Sequence, residues 1–354
     1  MYKTIASGIV RKKLQQVIFD VTFRCNSRCR TCFNWKNTDS VKKDELSLEE
    51  IEKISKSMPK FLWFIASGGE PFLREDLPEI CEIFYRNNGV KHFSIPTNSL
   101  LPTVIKNSLE KILQKCPKAS VNLVLSLDGL LEKHDEARGV SGNFEKFLKT
   151  FSLVMPLKEK YPSLSVKVHT VITNKNYRDL DEIISYVKKI GPDIHTFDFV
   201  RGDVRNKEVA LPPAQELKGI VGKIKSVYRE YAGFRGMGIH SGLAQKFSKA
   251  VMIYYNDLFL KMLGSGKQII PCYAGEMNAV IDPYGNVSFC ELRGSFGNFR
   301  KADYDFRKLW NSPAAKKQRA EIKAGKCSCY HPCYQFVNIM FNPLELAAAS
   351  RYLF

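Results

Sequence analysis

The run VIFDVTFRCNSRCRTCFN, residues 17–34, joins a strand pattern rich in β-branched and aromatic residues to three cysteines, Cys25, Cys29 and Cys32, spaced C-x3-C-x2-C. Three thiolates on one short loop can hold three irons of a [4Fe-4S] cube and leave the fourth iron open to an exogenous ligand. A structural zinc site needs four closed ligands, often as two separated pairs, and neither a histidine nor a fourth cysteine lies nearby in sequence. The loop therefore reads as a redox centre at the end of a strand.

Outward from this loop, FLWFIAS (61–67), KHFSIPT (91–97), VNLVLSLD (121–128), SVKVHTVIT (165–173) and IHTFDFV (194–200) repeat the strand pattern. Helical stretches separate them, opened by Ser47 with Glu50 three residues on as a capping box, by Asp76, and by Asn143 ahead of FEKFLKTF. Six strands alternating with helices predict a parallel sheet. Six units are too few to close an eight-strand barrel, so the expected α/β fold is a partial (β/α)6 TIM-type barrel with its chemistry at the C-terminal strand ends.

Residues 205–270 break the rhythm with two long helical patterns, 213–232 and 242–263. The second contains KAVMIYYNDLFLKML and is apolar almost all round, which predicts a helix buried under the barrel; a lid over an apolar substrate or a membrane-surface contact is the rival. NAVIDPYGNVSFC (278–290) then reads as two short strands around Asp282, Pro283, Tyr284 and Gly285, opening a small second domain. The expected divisions are an amphipathic segment 1–16, a barrel 17–204, a helical linker or insertion 205–270 and a C-terminal domain 271–354.

A 354-residue chain with 44% hydrophobic and 25% charged residues describes a soluble protein with a large core. Between Lys3 and Arg11 there is too little apolar sequence for a secretory signal, and no later run reaches transmembrane length, so a cytoplasmic protein is expected. In that reducing compartment ten cysteines are metal ligands, catalytic groups or core rather than disulfides. The net charge of +18 is uneven: residues 1–43 hold +8, 201–270 hold +7 and 291–354 hold +6, while the middle is neutral. These segments are placed to meet phosphates, anionic lipid or an acidic peptide, or to serve as a solvated surface. Tyr2, Ile5, Ile9 and Leu14 recur at helical intervals among Lys3, Arg11, Lys12 and Lys13. That segment is expected to pack across the barrel, with peripheral contact to an anionic membrane as the other reading.

The C-x3-C-x2-C loop after strand one resembles that of the radical S-adenosylmethionine (SAM) enzymes, which carry it on a partial (β/α)6 barrel. The resemblance continues along the chain. Gly68, Gly69, Glu70 and Pro71 after the second strand match the family's GGEP segment, which receives the methionine amino group. SLDGLLEKHDEARG (126–139) is similar to the stretch in which Ser126 and Arg138 would hold the ribose or carboxylate of SAM. Thr97 and Asn98 after the third strand and Asn174 after the fifth are expected at the same mouth. The family's aromatic residue before the third cysteine is Thr31 here, and Phe33 follows instead, so the adenine pocket is expected to be built differently. The resemblance implies that a reducing partner of flavodoxin or ferredoxin type delivers one electron. Cleavage of SAM then yields a 5′-deoxyadenosyl radical that takes a hydrogen atom from the substrate.

Towards the C-terminus, Cys272 is followed by twelve residues, Gly285, four residues and Cys290; CSCYHPC (327–333) adds Cys327, Cys329 and Cys333. This resembles the SPASM and twitch groups, whose C-terminal domain carries auxiliary [4Fe-4S] clusters. Five cysteines imply one auxiliary cluster, held by Cys272, Cys290, Cys333 and one of Cys327 or Cys329. A zinc site using His331 is the alternative. Glu291, after Cys290, occupies the place of the acidic base of sulfatase-maturating relatives, or is a surface glutamate. Cys81, in register with Leu77 and Phe84, reads as core, and Cys116 has no partner pattern. Only sixteen residues precede strand one, so a leader-gripping domain is expected to be a separate protein or absent. A small molecule, a peptide and a lipid all remain as substrates. A non-enzymatic iron-sulfur or zinc protein that binds nucleic acid through its basic segments is the reading outside enzymology, and no nucleic-acid motif supports it.

Overall fold

A computed structural model describes residues 12–42, 44–231, 242–325 and 327–353, the side chains of 243 and 244 excepted. The amphipathic reading of the N-terminal segment falls mostly on residues 1–11, outside the described residues.

Six strands form where the pattern places them: β1 Gln16–Thr22, β2 Trp63–Gly68, β3 His92–Thr97, β4 Ser120–Ser126, β5 Leu164–Ile172 and β6 Ile194–Phe199. Each pairs in parallel with the next. Helices α1 Leu48–Ser57, α2 Leu77–Asn88, α3 Pro102–Lys115, α4 Glu132–Arg138, α5 Asn143–Val154 and α6 Leu180–Ile190 fill the crossovers. The Ser47–Glu50 capping box opens α1. Asp76 instead pairs with Arg74, and Asn143 is the first residue of α5, its amide donating to the Asn98 carbonyl at 2.9 Å.

The hairpin after residue 277 continues this sheet. Strand β7, Asn278–Ile281, lies parallel against β1, and β8 Asn286–Ser288 and β9 Gly297–Asn298 follow antiparallel. The sheet runs β6-β5-β4-β3-β2-β1-β7-β8-β9 and stays open. The C-terminal segment thus shares the barrel's own hydrogen-bonded ladder, and β7 presents its C-terminal end at the same rim as β1–β6.

Helix α7, Ala214–Glu230, and helix α8, Gly242–Ser265, pack beside β6 with α10, Pro332–Met340, and α11, Pro343–Ser350; α9, Pro313–Lys323, packs instead against the short helices at 274–277 and 306–310. The apolar surface of α8 is covered: Val251, Ile253, Leu258, Phe259 and Met262 are buried, and Phe259 stacks on Phe199 at 4.0 Å. It is a core helix, as its all-round apolarity predicted, and no helix among the described residues is long and apolar enough to cross a membrane. The α10 region bridges the two sides of the open sheet. Tyr330 donates to the Val200 carbonyl at 2.9 Å, Gln16 donates to the Cys333 carbonyl at 3.4 Å, and Phe336 and Phe341 pack edge-on against Trp63.

Candidate active site

The loops leaving the C-terminal ends of β1–β6 meet over a cavity of about 220 Å³. Cys25, Cys29, Thr31, Cys32 and Phe33 line it from the first loop, Gly68, Gly69 and Glu70 from the second, Thr97 and Asn98 from the third, and Ser126 and Arg138 from the fourth. Pro71 begins a 3-10 turn outside it. Asn174, expected at the mouth, lies elsewhere: its amide donates to the Glu208 carbonyl at 3.0 Å and its oxygen accepts from Ala210 N at 3.1 Å, which spends the side chain on pinning a loop.

Three backbone clasps shape the cysteine loop. Gly69 N donates to Thr22 O at 2.8 Å and Glu70 N to Arg24 O at 2.9 Å. The approach is so close that a Cβ on Gly69 would stand 2.1 Å from Arg24 O, and Gly68 holds φ +110° with Thr22 O 2.3 Å from its Cβ position. From the C-terminal end of α4, Arg138 O and Ala137 O accept from Arg28 N and Arg30 N at 3.1 and 2.9 Å. After β6, Arg205 N and Asn206 N donate to Cys32 O and Arg30 O, both at 3.1 Å. The paired glycines are therefore first a packing requirement of the loop.

Burial pushes the Cys25 and Cys32 thiols up to about 11, and charge on Cys29 adds to both. Ser27 Oγ lies 3.1 Å from Cys29 Sγ, and Asn98 Nδ2 lies 4.0 Å from Cys25 Sγ. Arg138 is buried; burial works against its charge, while Cys29, Asp128 and Cys25 hold it, and its Nη1 pairs with Asp128 at 2.9 Å. Three thiols on one rim beside a buried cation fit a thiolate-ligated cluster, whose negative charge the guanidinium offsets. Among the described residues no three His, Cys, Asp or Glu side chains are gathered tightly enough for a single metal ion, which would need its sulfurs about 2.3 Å from one centre.

Glu70 is tied down from three sides, accepting from Thr97 Oγ1 at 2.9 Å, Asn98 N at 2.7 Å and Phe72 N at 3.2 Å. Burial pushes its carboxyl up to about 7 against those bonds.

The C-terminal cysteines fall into two groups. Burial raises Cys272 to about 11 and Cys290 to about 12 and also raises Cys329; charge on Cys327 and Cys329 adds to the shifts of Cys272 and Cys290, and charge on Cys327 to that of Cys329, so the four share one neighbourhood. Cys333 is also raised by burial to about 12, but the charges acting on it are Glu291, Asp198 and Arg201, at the barrel cavity. The expected set contained Cys333 and only one of Cys327 and Cys329. Cys327 and Cys329 both lie near Cys272 and Cys290, whereas Cys333, on the first turn of α10, lies near Glu291 and Arg201. His331 caps α10: its Nδ1 accepts from Cys333 N at 3.3 Å and its Nε2 lies 2.8 Å from Glu291 Oε2, so both ring nitrogens are engaged.

Glu291 is a wall of the barrel cavity rather than a surface residue. Burial works to raise its carboxyl, but His331 and Arg201 hold it below the usual carboxylate range. Three further ionisable wall residues were not expected from the sequence: His169 on β5, and Asp198 and Arg201 at the end of β6. Arg201 Nη1 pairs with Asp198 at 2.9 Å, its guanidinium lies 5.1 Å from the Phe33 ring, and His169 Nε2 lies 3.7 Å from Asp198. The signal was present, since Asp198 lies within the strand run IHTFDFV and Arg201 directly follows it.

The Radical SAM superfamily model matches residues 19–187, and the SPASM iron-sulfur cluster-binding domain model matches residues 272–335. The chain belongs to the radical SAM superfamily and carries a SPASM domain. This radical SAM protein is 25% identical over 305 residues to the antilisterial bacteriocin subtilosin biosynthesis protein AlbA of Bacillus subtilis, a match covering 84% of the chain and 60% of AlbA. It is 28% identical over 216 residues to a probable GTP 3′,8-cyclase of Methanococcus vannielii, covering 58% of the chain and 66% of the cyclase. Its fold is similar to that of anSMEcpe with bound AdoMet and Cp18Cys peptide, with a TM-score of 0.59 at 17% identity over 97% of this chain and 96% of that one. Streptococcus suis SuiB bound to precursor peptide SuiA has a TM-score of 0.56 at 14% identity, covering 90% of this chain and 70% of SuiB.

Proposed function

We propose that this protein is a radical SAM enzyme that oxidises or cross-links a residue of a peptide substrate. The observation that carries the reading is the single cavity whose walls include the three cysteines of the C-x3-C-x2-C loop, Glu70 and Glu291. Cys25, Cys29 and Cys32 would hold the first [4Fe-4S] cluster, and Cys272, Cys290, Cys327 and Cys329 an auxiliary one. Bound there, the cluster and SAM supply a 5′-deoxyadenosyl radical for hydrogen-atom removal, and the auxiliary cluster supplies an acceptor for the electron left on the substrate.

The chain's own residues do the positioning. Glu70, held by Thr97 and Asn98, fixes the rim where the methionine end of SAM would sit, and Ser126 and Arg138 offer a hydroxyl and a buried cation in the same cavity. Thr31 and Phe33 flank the third cysteine, where the adenine would lie. Glu291, kept ionised beside His331, takes the proton from the substrate. A peptide is favoured over a small molecule or lipid because AlbA is named for bacteriocin biosynthesis and the anSMEcpe and SuiB structures hold peptides. The basic surface suits an acidic one-electron donor of flavodoxin or ferredoxin type.

Anaerobically reconstituted protein should be brown, carry about eight irons and release 5′-deoxyadenosine from SAM on reduction. Replacing Cys25, Cys29 and Cys32 together by alanine should remove about half the iron and all cleavage. Colourless, zinc-loaded protein overturns the reading.

A further inference from the structure

A second cavity, of about 400 Å³, adjoins the first and shares Phe33, Asn34 and Glu291 with it. Its walls are in part apolar, from Phe23, Phe33, Val280 and Val287, and it also holds three carboxylates: Asp20 from β1, Asp282 from the turn after β7, and Glu291. Two of these are answered within the protein. Asp282 accepts from Tyr284 N at 2.9 Å and from Asn286 N and Nδ2 at 2.8 and 2.7 Å, and Glu291 pairs with His331. Asp20 is not. Among the described residues no hydrogen bond or ion pair reaches its carboxylate, although it is only 8% exposed and lines the cavity.

Its surroundings make matters worse. The charges acting on Asp20 are Glu291 and Asp282, both repulsive, and with burial as the larger cause they raise its carboxyl well above the usual range. The cations on the same walls are committed elsewhere, Lys36 to Asp203 at 2.8 Å and Arg293 to Glu321. An unanswered carboxylate in the middle of a sheet is a cost to folding, and nothing in the packing of β1 requires it. Apolar walls ending at an uncompensated carboxylate match a side chain with a long aliphatic stem and a cationic tip.

We propose that Asp20 is a specificity-determining residue that receives the ammonium or guanidinium of a lysine or arginine in the peptide substrate. Seated there, the basic residue places a neighbouring residue of the same peptide in the barrel cavity, which the second cavity joins at Phe33 and Glu291. The inference rests on the peptide reading above and adds to it which peptides are taken.

The test pans a phage-displayed random dodecapeptide library, anaerobically and with SAM present, on the reconstituted holoprotein and on its Asp20→Asn and Asp20→Glu variants. Wild type and Asp20→Glu should enrich lysine or arginine at one position by about tenfold, and Asp20→Asn should retain peptides without that enrichment. Asp20→Asn should keep full iron content and melt no lower than wild type, because it removes a repulsive charge. Equal basic enrichment by Asp20→Asn, or peptides retained by wild type with no basic preference, overturns the Asp20 assignment and leaves the peptide reading standing. Loss of iron or a lower melting temperature in Asp20→Asn makes the residue structural and also overturns it. If wild type retains no peptide at all, the peptide reading fails and the subsite fails with it.

Discussion

His331 Nε2 lies 2.8 Å from Glu291 Oε2, and this contact joins the segment that carries the last three cysteines to the wall of the barrel cavity. Because His331 also accepts from Cys333 N, the carboxylate, the ring and the start of α10 form one rigid unit. The same unit sets the distance from the auxiliary cysteines to the substrate, since Cys290 directly precedes Glu291.

If Glu291 takes the substrate proton, Glu291→Gln should slow formation of modified product by about 10²–10⁴-fold. It should leave reductive cleavage of SAM in place, because that step does not use Glu291. Measured together, product by mass spectrometry and 5′-deoxyadenosine by chromatography should separate in this variant. Parallel loss of both would assign Glu291 to the architecture of the site instead.

Gly69→Ala tests the clasp on the cysteine loop. The new methyl would sit 2.1 Å from Arg24 O, a backbone atom that cannot swing aside. Relief requires the loop to move, at a cost of about 1–3 kcal/mol. The expected outcome is a lower melting temperature with selective loss of the first cluster's iron, read against a Gly219→Ala control, whose Cβ would meet nothing within 4 Å and whose φ, like that of Gly69, lies outside the left-handed region.

The strand order β1 to β6 was legible because each run is apolar and each crossover carries its own helical start, and the cavity walls followed from the rule that chemistry collects at strand ends. What escaped depended on contacts distant in sequence. That β7 would pair with β1 cannot be read from NAVI, since a four-residue strand has the same pattern in a separate hairpin. Asn174 looked like a strand-end ligand, but its position is decided by the 206–210 loop that it holds. Asp20 was visible throughout as the one charge in VIFDVTF; only the absence, among the described residues, of any cation paired with it gave the residue meaning.

Lys167 on β5 offers a pH test away from the site. It is buried with Asp193 as its charged neighbour, and burial lowers its amine to about 8. The folded protein therefore releases this proton earlier than the unfolded chain does, whose lysines titrate near 10.4. Below pH 8 the buried charge is a full penalty, and the penalty shrinks as pH rises from about 8 to about 10.4. Lys167→Met should accordingly stabilise the protein by about 3 kcal/mol at pH 7. That advantage should fall towards zero by about pH 10, as measured by denaturant unfolding of both proteins across the range.

The two groups of C-terminal cysteines make a sharper prediction than the sequence allowed. Charge on Cys327 and Cys329 acts on Cys272 and Cys290, whereas the charges acting on Cys333 are those of Glu291, Asp198 and Arg201. Single replacement of Cys327 or Cys329 by alanine should therefore strip the auxiliary cluster, lowering iron from about eight to about four per chain. Cys333→Ala should keep the iron and instead alter the surroundings of Glu291, changing product formation more than cluster content. Iron analysis and Mössbauer spectra of the three variants decide the matter. Loss of four irons from Cys333→Ala with retention in Cys329→Ala would restore the spacing-based set, in which Cys327 serves beside Cys333, and would mean that cluster insertion turns the first turn of α10 away from the barrel.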